Sequence, residues 1–379
     1  MTRVLPAIAP LALIAMVVSL IALDGRSAPA VDADRGWSTF TELQRPRAFA
    51  HALTLPTGEI LVVGGLDRDD PQVTNPRSEL IDPLSHAVTV LSGNIVGRLH
   101  QSATLGSRER VVVAGGVVWE DEHWSPVDQV DVYDVKTRRW SAGRPLAIAR
   151  SDHAAVALKD GRVAVIGGNI GTTLLASIEI YDPHTDAWVM GAPMPRPRTQ
   201  HAAVTLRDGR VLVAGGIDGD GGATATTFLY DPRSNTWEAG PRMAEPRLQQ
   251  ATVLLPSGDV LVAGGDGNAA GSSELYLAHE RRFVSAGLLA EPRLVAQAAA
   301  LPDGRVVIAG GLPPRMTAYR PLASAEIWDP ATLSWSPLAA LAEGRAWGSL
   351  VSAGGALYLV SGTGNDERAL RSIARFAID

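Results

Sequence analysis

The sequence predicts an all-β fold, a seven-bladed β-propeller whose last blade is completed by a strand from the N-terminal end. Three observations predict it. A frame of fixed spacing recurs seven times, each unit divides into four short strand-like segments, and the two ends of the chain hold complementary parts of one unit.

The frame is anchored on arginine. Arg47, Arg98, Arg150, Arg198, Arg247, Arg293 and Arg345 are each followed 17 positions later by a glycine, from Gly64 to Gly362. Ten positions before each arginine stands a bulky apolar residue: Trp37, Val88, Trp140, Trp188, Trp237, Phe283 or Trp335. Seven positions before six of these stands another: Ile81, Tyr133, Tyr181, Tyr230, Tyr276 and Trp328. Only one connection varies. From the glycine to the next such residue the count is 17, 18, 14, 15, 12, 18 and, ending at Phe376, 14. Constant spacing marks packed elements and tight turns, and variable spacing marks an exposed loop.

The third unit shows the four segments. HAAVAL (153–158) is an Ala-rich strand, and KDGR (159–162) is a turn with glycine where positive φ is needed. VAVIGG (163–168) is a continuous apolar strand expected to be buried on both faces. After the variable loop comes SIEIYDP, then a second turn and the strand bearing Trp188. The Ala-rich strand is expected to be innermost, because blades taper towards the axis. At the C-terminus Phe376 falls in the third strand of the seventh unit, which leaves no chain for a fourth. GWSTFTEL (36–43) is a fourth strand with no blade before it, so it is expected to close the ring and remove the open edges. A six-bladed ring with a stray seventh unit is the alternative count.

Composition narrows the setting. The 379 residues carry a formal net charge of -6, with Gly 38 and Pro 25 spread along the chain as many tight turns require. An acidic balance offers phosphate nothing, which argues against a nucleic-acid partner. Residues 1–30 stand apart: Arg3, then the uncharged apolar run 5–23, then Ala28 and Ala30 at the spacing of a signal-peptidase site. They read as a secretory signal, with an uncleaved membrane anchor as the alternative, since the run is long enough to span a bilayer. Residues 31–379 are then the propeller, in an extracytoplasmic setting, periplasmic or secreted. With Cys 0 no disulfide is possible there, and stability rests on burial.

The paired glycines, the E-x-Y-D-P segment and the tryptophan seven positions later resemble the kelch repeat, as in SIEIYDPHTDAW (177–188) and SAEIWDPATLSW (324–335). The resemblance runs over residues 37–379, with six double glycines, a degenerate seventh unit at SGTG (361–364), and Val88 where the first unit lacks tryptophan. It implies a propeller that is an enzyme or a partner-binding module, since fold does not fix function. Secreted seven-bladed members resemble galactose oxidase, whose copper chemistry needs a Tyr crosslinked to Cys. This chain has Cys 0, so that resemblance implies the architecture without the copper site, and no cofactor is expected.

Repeated residues read first as scaffold. The glycines allow close approach, and the Trp and Tyr of the frame pack between strands. His153 and His201 share a position with Gln101 and Gln250, which suggests scaffold hydrogen bonding. The arginines suit bonds to carbonyls and to neighbouring blades' acids, or else a cationic rim that recognises carboxylates. IDGDGG (217–222) lacks the later acid of a calcium loop and reads as a turn, so no metal site is expected.

Subtraction leaves aromatics with no frame position. Trp119 and Trp124 lie in the second unit's long loop, VVWEDEHWSP (117–126), with Glu120 and Asp121 between them. Trp347 follows Arg345, and Tyr319 lies in the sixth unit's loop beside Arg315 and Arg320. Ring closure makes these units neighbours, with LDRDDPQ (66–72) in the same sector. Trp119, Glu120, Asp121, Trp124, Tyr319, Arg345 and Trp347 are therefore the candidate binding residues, for a carbohydrate or a protein. The tryptophans packing onto their own blade is the competing reading. No catalytic residue is assigned and a monomer is expected. The alternative function is a sugar epimerase or mutarotase, with Glu120, Asp121, Glu122 and His123 as acid and base.

Overall fold

The computed structural model of the chain describes residues 36–66, 76–93, 95–314 and 318–378. The leader read at 1–30, residues 67–72 of the acidic loop and Arg315 lie outside the described residues. The described chain forms seven four-stranded antiparallel sheets, one per repeat, which settles the count at seven blades.

Blade 3 shows the plan. Ala154–Ala157, Val163–Ile166, Ile178–Asp182 and Ala187–Met190 pair in that order from the inside outwards. The second strand is wholly buried, as a continuous apolar run requires. Between the first two strands Gly161 has φ 87°, and its N–H donates to Leu158 O at 2.9 Å. Small residues fill the first strands, which bond to one another across blades. Thr205 Oγ1 donates to Ala157 O at 2.7 Å, and Thr54 Oγ1 to Ser352 O at 2.7 Å.

The seven-residue spacing between aromatics is a cross-strand pair. Tyr181 opposes Trp188 with ring centroids 5.0 Å apart, Tyr133 opposes Trp140 at 5.0 Å, and Tyr230 opposes Trp237 at 4.8 Å. The indoles also reach back to the preceding blade. Trp140 Nε1 donates to Ser78 Oγ at 2.7 Å and Trp335 Nε1 to Ser273 Oγ at 2.9 Å. Each such tryptophan holds two blades together.

The double glycine is needed twice over. Gly167 and Gly168 have φ 60° and 93°, and a Cβ on either would lie 2.6 Å from Arg198 O or 2.4 Å from Ser151 O. The side chain of His201, from the next blade, fills the space left beside Gly167.

The ring closes as the sequence predicts. Ser38–Arg47 is the outer strand of blade 7, antiparallel to Leu370–Ala377. Trp37 packs on Phe376 at 5.4 Å, the same cross-strand pair as in other blades but made from opposite ends of the chain. Leu43 is fully buried, and Phe40 meets Tyr358 edge-on at 4.9 Å.

Candidate functional site

The repeated arginines belong to the scaffold. Arg47, Arg98, Arg150, Arg198, Arg247 and Arg293 are at most 1% exposed, and Arg345 is 4% exposed. In blades 1, 3, 4, 5 and 6 the guanidinium donates to the glycine carbonyl 17 positions on, at 2.8–3.0 Å. Most also meet an acid on the third strand of their own blade, not a neighbouring blade's. The pairs are Arg47–Glu79 at 2.7 Å, Arg98–Asp131 at 2.6 Å, Arg150–Glu179 at 2.6 Å, Arg247–Glu274 at 2.9 Å and Arg293–Glu326 at 2.8 Å. Glu179 also accepts the N–H groups of Ala147 and Ile148, so the clamp ties down the chain that arrives from the previous blade.

Two blades depart from this. Arg198 has no carboxylate partner at that position. Phe228 stands there instead, its ring centroid 4.6 Å from the guanidinium carbon, and Thr226 supplies two acceptors. Burial draws the Arg198 pKa down to about 10. Arg345 bonds Glu343 at 3.0 Å and the carbonyls of Leu359, Ser361 and Ser372. Both of its Nη groups are committed to the blade, and its Nε is buried without a hydrogen-bond partner.

Two residues after each arginine the backbone turns left-handed. Phe49, His100, Asp152, Gln200, Gln249, Val295 and Trp347 all have positive φ, between 50° and 60°. None is glycine, and Val295 is β-branched, so each is a strained left-handed residue. The geometry explains the strain. The residue before each kink bridges the strand that follows the glycines, as Ala48 does with Leu66, Leu99 with Val117 and Ala346 with Thr363. A left-handed residue then turns the chain into the innermost strand. Backbone bonds link successive kinks, from Phe49 N to Trp347 O at 3.3 Å, Gln200 N to Asp152 O at 3.0 Å and Val295 N to Gln249 O at 3.2 Å.

These seven residues form a ring at the start of the inner strands, and the ring has two halves. His100 Nδ1 lies 2.7 Å from Asp152 Oδ1, and Gln249 Nε2 lies 3.5 Å from Gln200 Oε1. That half is polar and at most 8% exposed. The other half is aromatic. Phe49 stacks on His100 at 6.1 Å and meets Trp347 at 5.1 Å, and Trp347 stacks on Tyr319 at 5.9 Å with planes 9° apart. The Tyr319 hydroxyl bonds Thr363 Oγ1.

The second unit's loop continues the aromatic half. Val117–Glu120 and His123–Pro126 form a two-stranded ribbon, with Asp121 and Glu122 as a left-handed two-residue turn at φ 49° and 63°. Trp119 and Trp124 are direct cross-strand partners, centroids 5.3 Å apart and nearly perpendicular. Trp124 packs with Phe49 against the buried Leu66, Leu99 and Val117. The two tryptophans thus stabilise their own ribbon, yet both stay partly exposed. Glu120, Asp121, Glu122 and His123 are exposed at the ribbon tip, where His123 Nδ1 meets Asp121 O at 3.0 Å.

The result is an arc of five partly exposed rings, Trp119, Trp124, Phe49, Trp347 and Tyr319, over blades 2, 1, 7 and 6. Phe49 is the link that sequence reasoning missed, together with His100 and Asp152. The available signal was position: each stands two residues after a frame arginine, as Trp347 does.

Other singled-out residues fall into place as scaffold. His153 Nε2 lies 2.9 Å from Ser102 Oγ, and Gln250 Nε2 donates to Ala214 O at 3.0 Å. Burial holds His201 down at about 3 and His51 at about 4. Asp218 accepts the Gly221 N–H through its carbonyl, and Arg196 pairs with Asp220 at 2.7 Å, so IDGDGG is a salt-bridged turn. Among the described residues no three His, Cys, Asp or Glu side chains converge to hold a metal ion.

The kelch motif family model matches residues 149–195 and 197–244, the third and fourth repeats. Among solved structures the chain is similar to a fungal alcohol oxidase of the AA5 family, solved in complex with copper, at 18% identity and a TM-score of 0.73. The match covers 91% of this chain and 76% of that one. At that identity the likeness concerns the fold. With the motif matched in two units and the same frame built into all seven blades, the chain is a kelch-repeat β-propeller.

Proposed function

We propose that this propeller is an extracytoplasmic binding module that takes a carbohydrate on the arc of aromatic rings. The observation that carries this reading is the continuity of the arc. Five partly exposed rings follow one another over four adjacent blades, whereas the equally exposed fourth-strand tryptophans stand one per blade, each against its own cross-strand partner and the preceding blade. Aromatic faces accept the C–H faces of pyranose rings, and the exposed Glu120 and Asp121 can accept from their hydroxyls. The extracytoplasmic setting rests on Arg3, the apolar run at 5–23 and the small residues Ala28 and Ala30 that follow it.

The test is a glycan array probed with the full chain and with Trp119→Ala. Binding by the wild type that the variant loses supports the reading. Absence of binding by the wild type, with capture of a protein through the same face, replaces the carbohydrate with a protein partner.

A further inference from the structure

We propose that the cleft between blades 2 and 3, on the face opposite the aromatic arc, binds a small sugar acid, with its carboxylate between Arg108 and Arg110 and a hydroxyl group on Asp186. This second site is separate from the carbohydrate platform above and does not depend on it.

The cleft has a volume of about 480 Å³, within the range of about 300–1,000 Å³ that ligand pockets occupy. One wall is the turn between the first two strands of blade 2, with Ser141 of that blade's outer strand beside it. The other wall is the last turn of blade 3, at Thr185 and Asp186. No residue of a first strand lines the cleft, so it stands off the channel axis. Arg108 and Thr185 are exposed, and Arg110 and Asp186 are partly exposed, so a ligand can reach them.

The blade 2 turn differs in charge from its counterparts. Blades 3, 4 and 6 carry Asp-Gly-Arg there, and the aspartate pairs with the arginine. The pairs are Arg162–Asp160 at 2.7 Å, Arg210–Asp208 at 2.7 Å and Arg305–Asp303 at 2.6 Å. Blade 2 has Arg108, Glu109 and Arg110 in the same register: Gly106 N–H donates to Arg110 O at 2.8 Å, as Leu158 N–H does to Arg162 O at 2.7 Å. A second arginine thus replaces the aspartate. Arg110 Nη1 makes one long bond, to Pro183 O at 3.3 Å, and neither arginine has an ion pair among the described residues. Asp134, opposite Arg110 on the third strand, is taken up by the Thr137 N–H and hydroxyl at 2.8 and 2.9 Å.

Asp186 supplies an acceptor. Its Oδ1 accepts the Tyr181 hydroxyl at 2.6 Å, and its Oδ2 has no partner among the described residues. In blade 4 Asn235 holds the equivalent place, and its one oxygen takes both the Tyr230 hydroxyl and the Ala192 N–H, at 2.7 Å each. Blade 3 makes only the first of these bonds, so Asp186 keeps the capacity to take a donor from a ligand. Two guanidinium groups against one carboxylate leave a single positive charge in excess. Guanidinium forks match a carboxylate in shape, and one excess charge balances a monoanion but not a dianion. The donor for Asp186 is then a hydroxyl group of the same molecule. One carboxylate with hydroxyls beside it, at the size of a monosaccharide, describes a sugar acid.

The experiment is a titration of the full chain with glucuronate and galacturonate at physiological salt, followed by saturation-transfer NMR, with glucose and inorganic phosphate as comparisons. Arg108→Asp recreates the Asp-x-Arg pair of blades 3, 4 and 6, so its melting temperature should not fall. Asp186→Asn keeps an acceptor for the Tyr181 hydroxyl, as Asn235 does for Tyr230. At least one uronate is expected to bind roughly tenfold or more tightly than glucose and phosphate, and Arg108→Asp to weaken it roughly tenfold. Asp186→Asn should narrow the preference for uronate over phosphate, and Trp119→Ala should leave uronate binding unchanged. Binding of neither uronate, phosphate bound as well as uronate, or wild-type affinity in Arg108→Asp overturns the site. Uronate binding lost in Trp119→Ala but kept in Arg108→Asp assigns it to the aromatic arc and equally overturns the cleft. None of these results bears on whether the arc takes a neutral glycan.

Discussion

Arg150 Nη2 and Glu179 Oε1 lie 2.6 Å apart with both side chains fully buried, and the same carboxylate takes two backbone N–H groups from the chain entering the blade. The pair works as a clamp at the junction of two blades. Removing one partner leaves a buried charge, so Arg150→Leu is expected to cost about 3–5 kcal/mol. Arg198 has Phe228 in place of the acid, so Arg198→Leu strands no carboxylate and should cost only about 1–2 kcal/mol. Thermal melting of the two variants decides it. Equal losses would mean that the carboxylate is not what makes these arginines necessary.

Three imidazoles should make the fold sensitive to acid. Burial lowers His201 to about 3 and His51 to about 4, and holds His153 well below its ordinary 6.5. In the unfolded chain they titrate near 6.5, so below that pH the unfolded state binds more protons than the folded one. Stability is complete above pH 6.5 and is lost as pH falls towards the folded-state values, by about 1.4 kcal/mol per pH unit for each imidazole. Denaturant midpoints measured from pH 7 to 4 should fall steeply. His153→Gln, which places the residue of Gln101 and Gln250 at that position, should flatten the slope. An unchanged slope would remove His153 from the account.

The two classes of tryptophan should separate cleanly by stability. Trp335 is half-buried against the blade 5–6 core and donates to Ser273, so Trp335→Ala is expected to cost about 3 kcal/mol. Trp119 is partly exposed on a two-stranded ribbon, and Trp119→Ala should cost no more than about 1 kcal/mol. Melting temperatures check both. A large loss at Trp119 would favour its role as packing over its role as a platform.

Closure depends on ten residues from one end of the chain. A variant lacking residues 1–46 leaves the Leu370–Ala377 edge unpaired and uncovers Phe376 and Tyr358. It is expected to aggregate, and a synthetic peptide of residues 36–47 added during refolding should restore soluble protein. Soluble, cooperatively melting protein without the peptide would show that the ring does not need this strand.

These comparisons also mark what the sequence made legible. Blade number, strand order and closure could be read because they rest on spacings that do not vary, such as Arg150 to Gly167 and Tyr181 to Trp188. The off-frame tryptophans could be found by subtraction. The Arg–Glu clamp was only half visible: E-x-Y was apparent as a motif, but pairing within the blade depends on how the third strand lies over the arginine. The ring of left-handed residues was hidden for a different reason. Its seven members, from Phe49 to Trp347, share a backbone conformation and not a side-chain type. Glycine announces a left-handed residue, whereas phenylalanine, valine and tryptophan do not.

The central claim is that the aromatic arc is the ligand platform. The most direct test is titration of the array-selected oligosaccharide into the wild type, Trp347→Ala and a frame control, Trp188→Phe, with folding of each confirmed by melting. The account predicts roughly tenfold or greater loss for Trp347→Ala and wild-type affinity for Trp188→Phe. Equal affinity in Trp347→Ala and the wild type would contradict it.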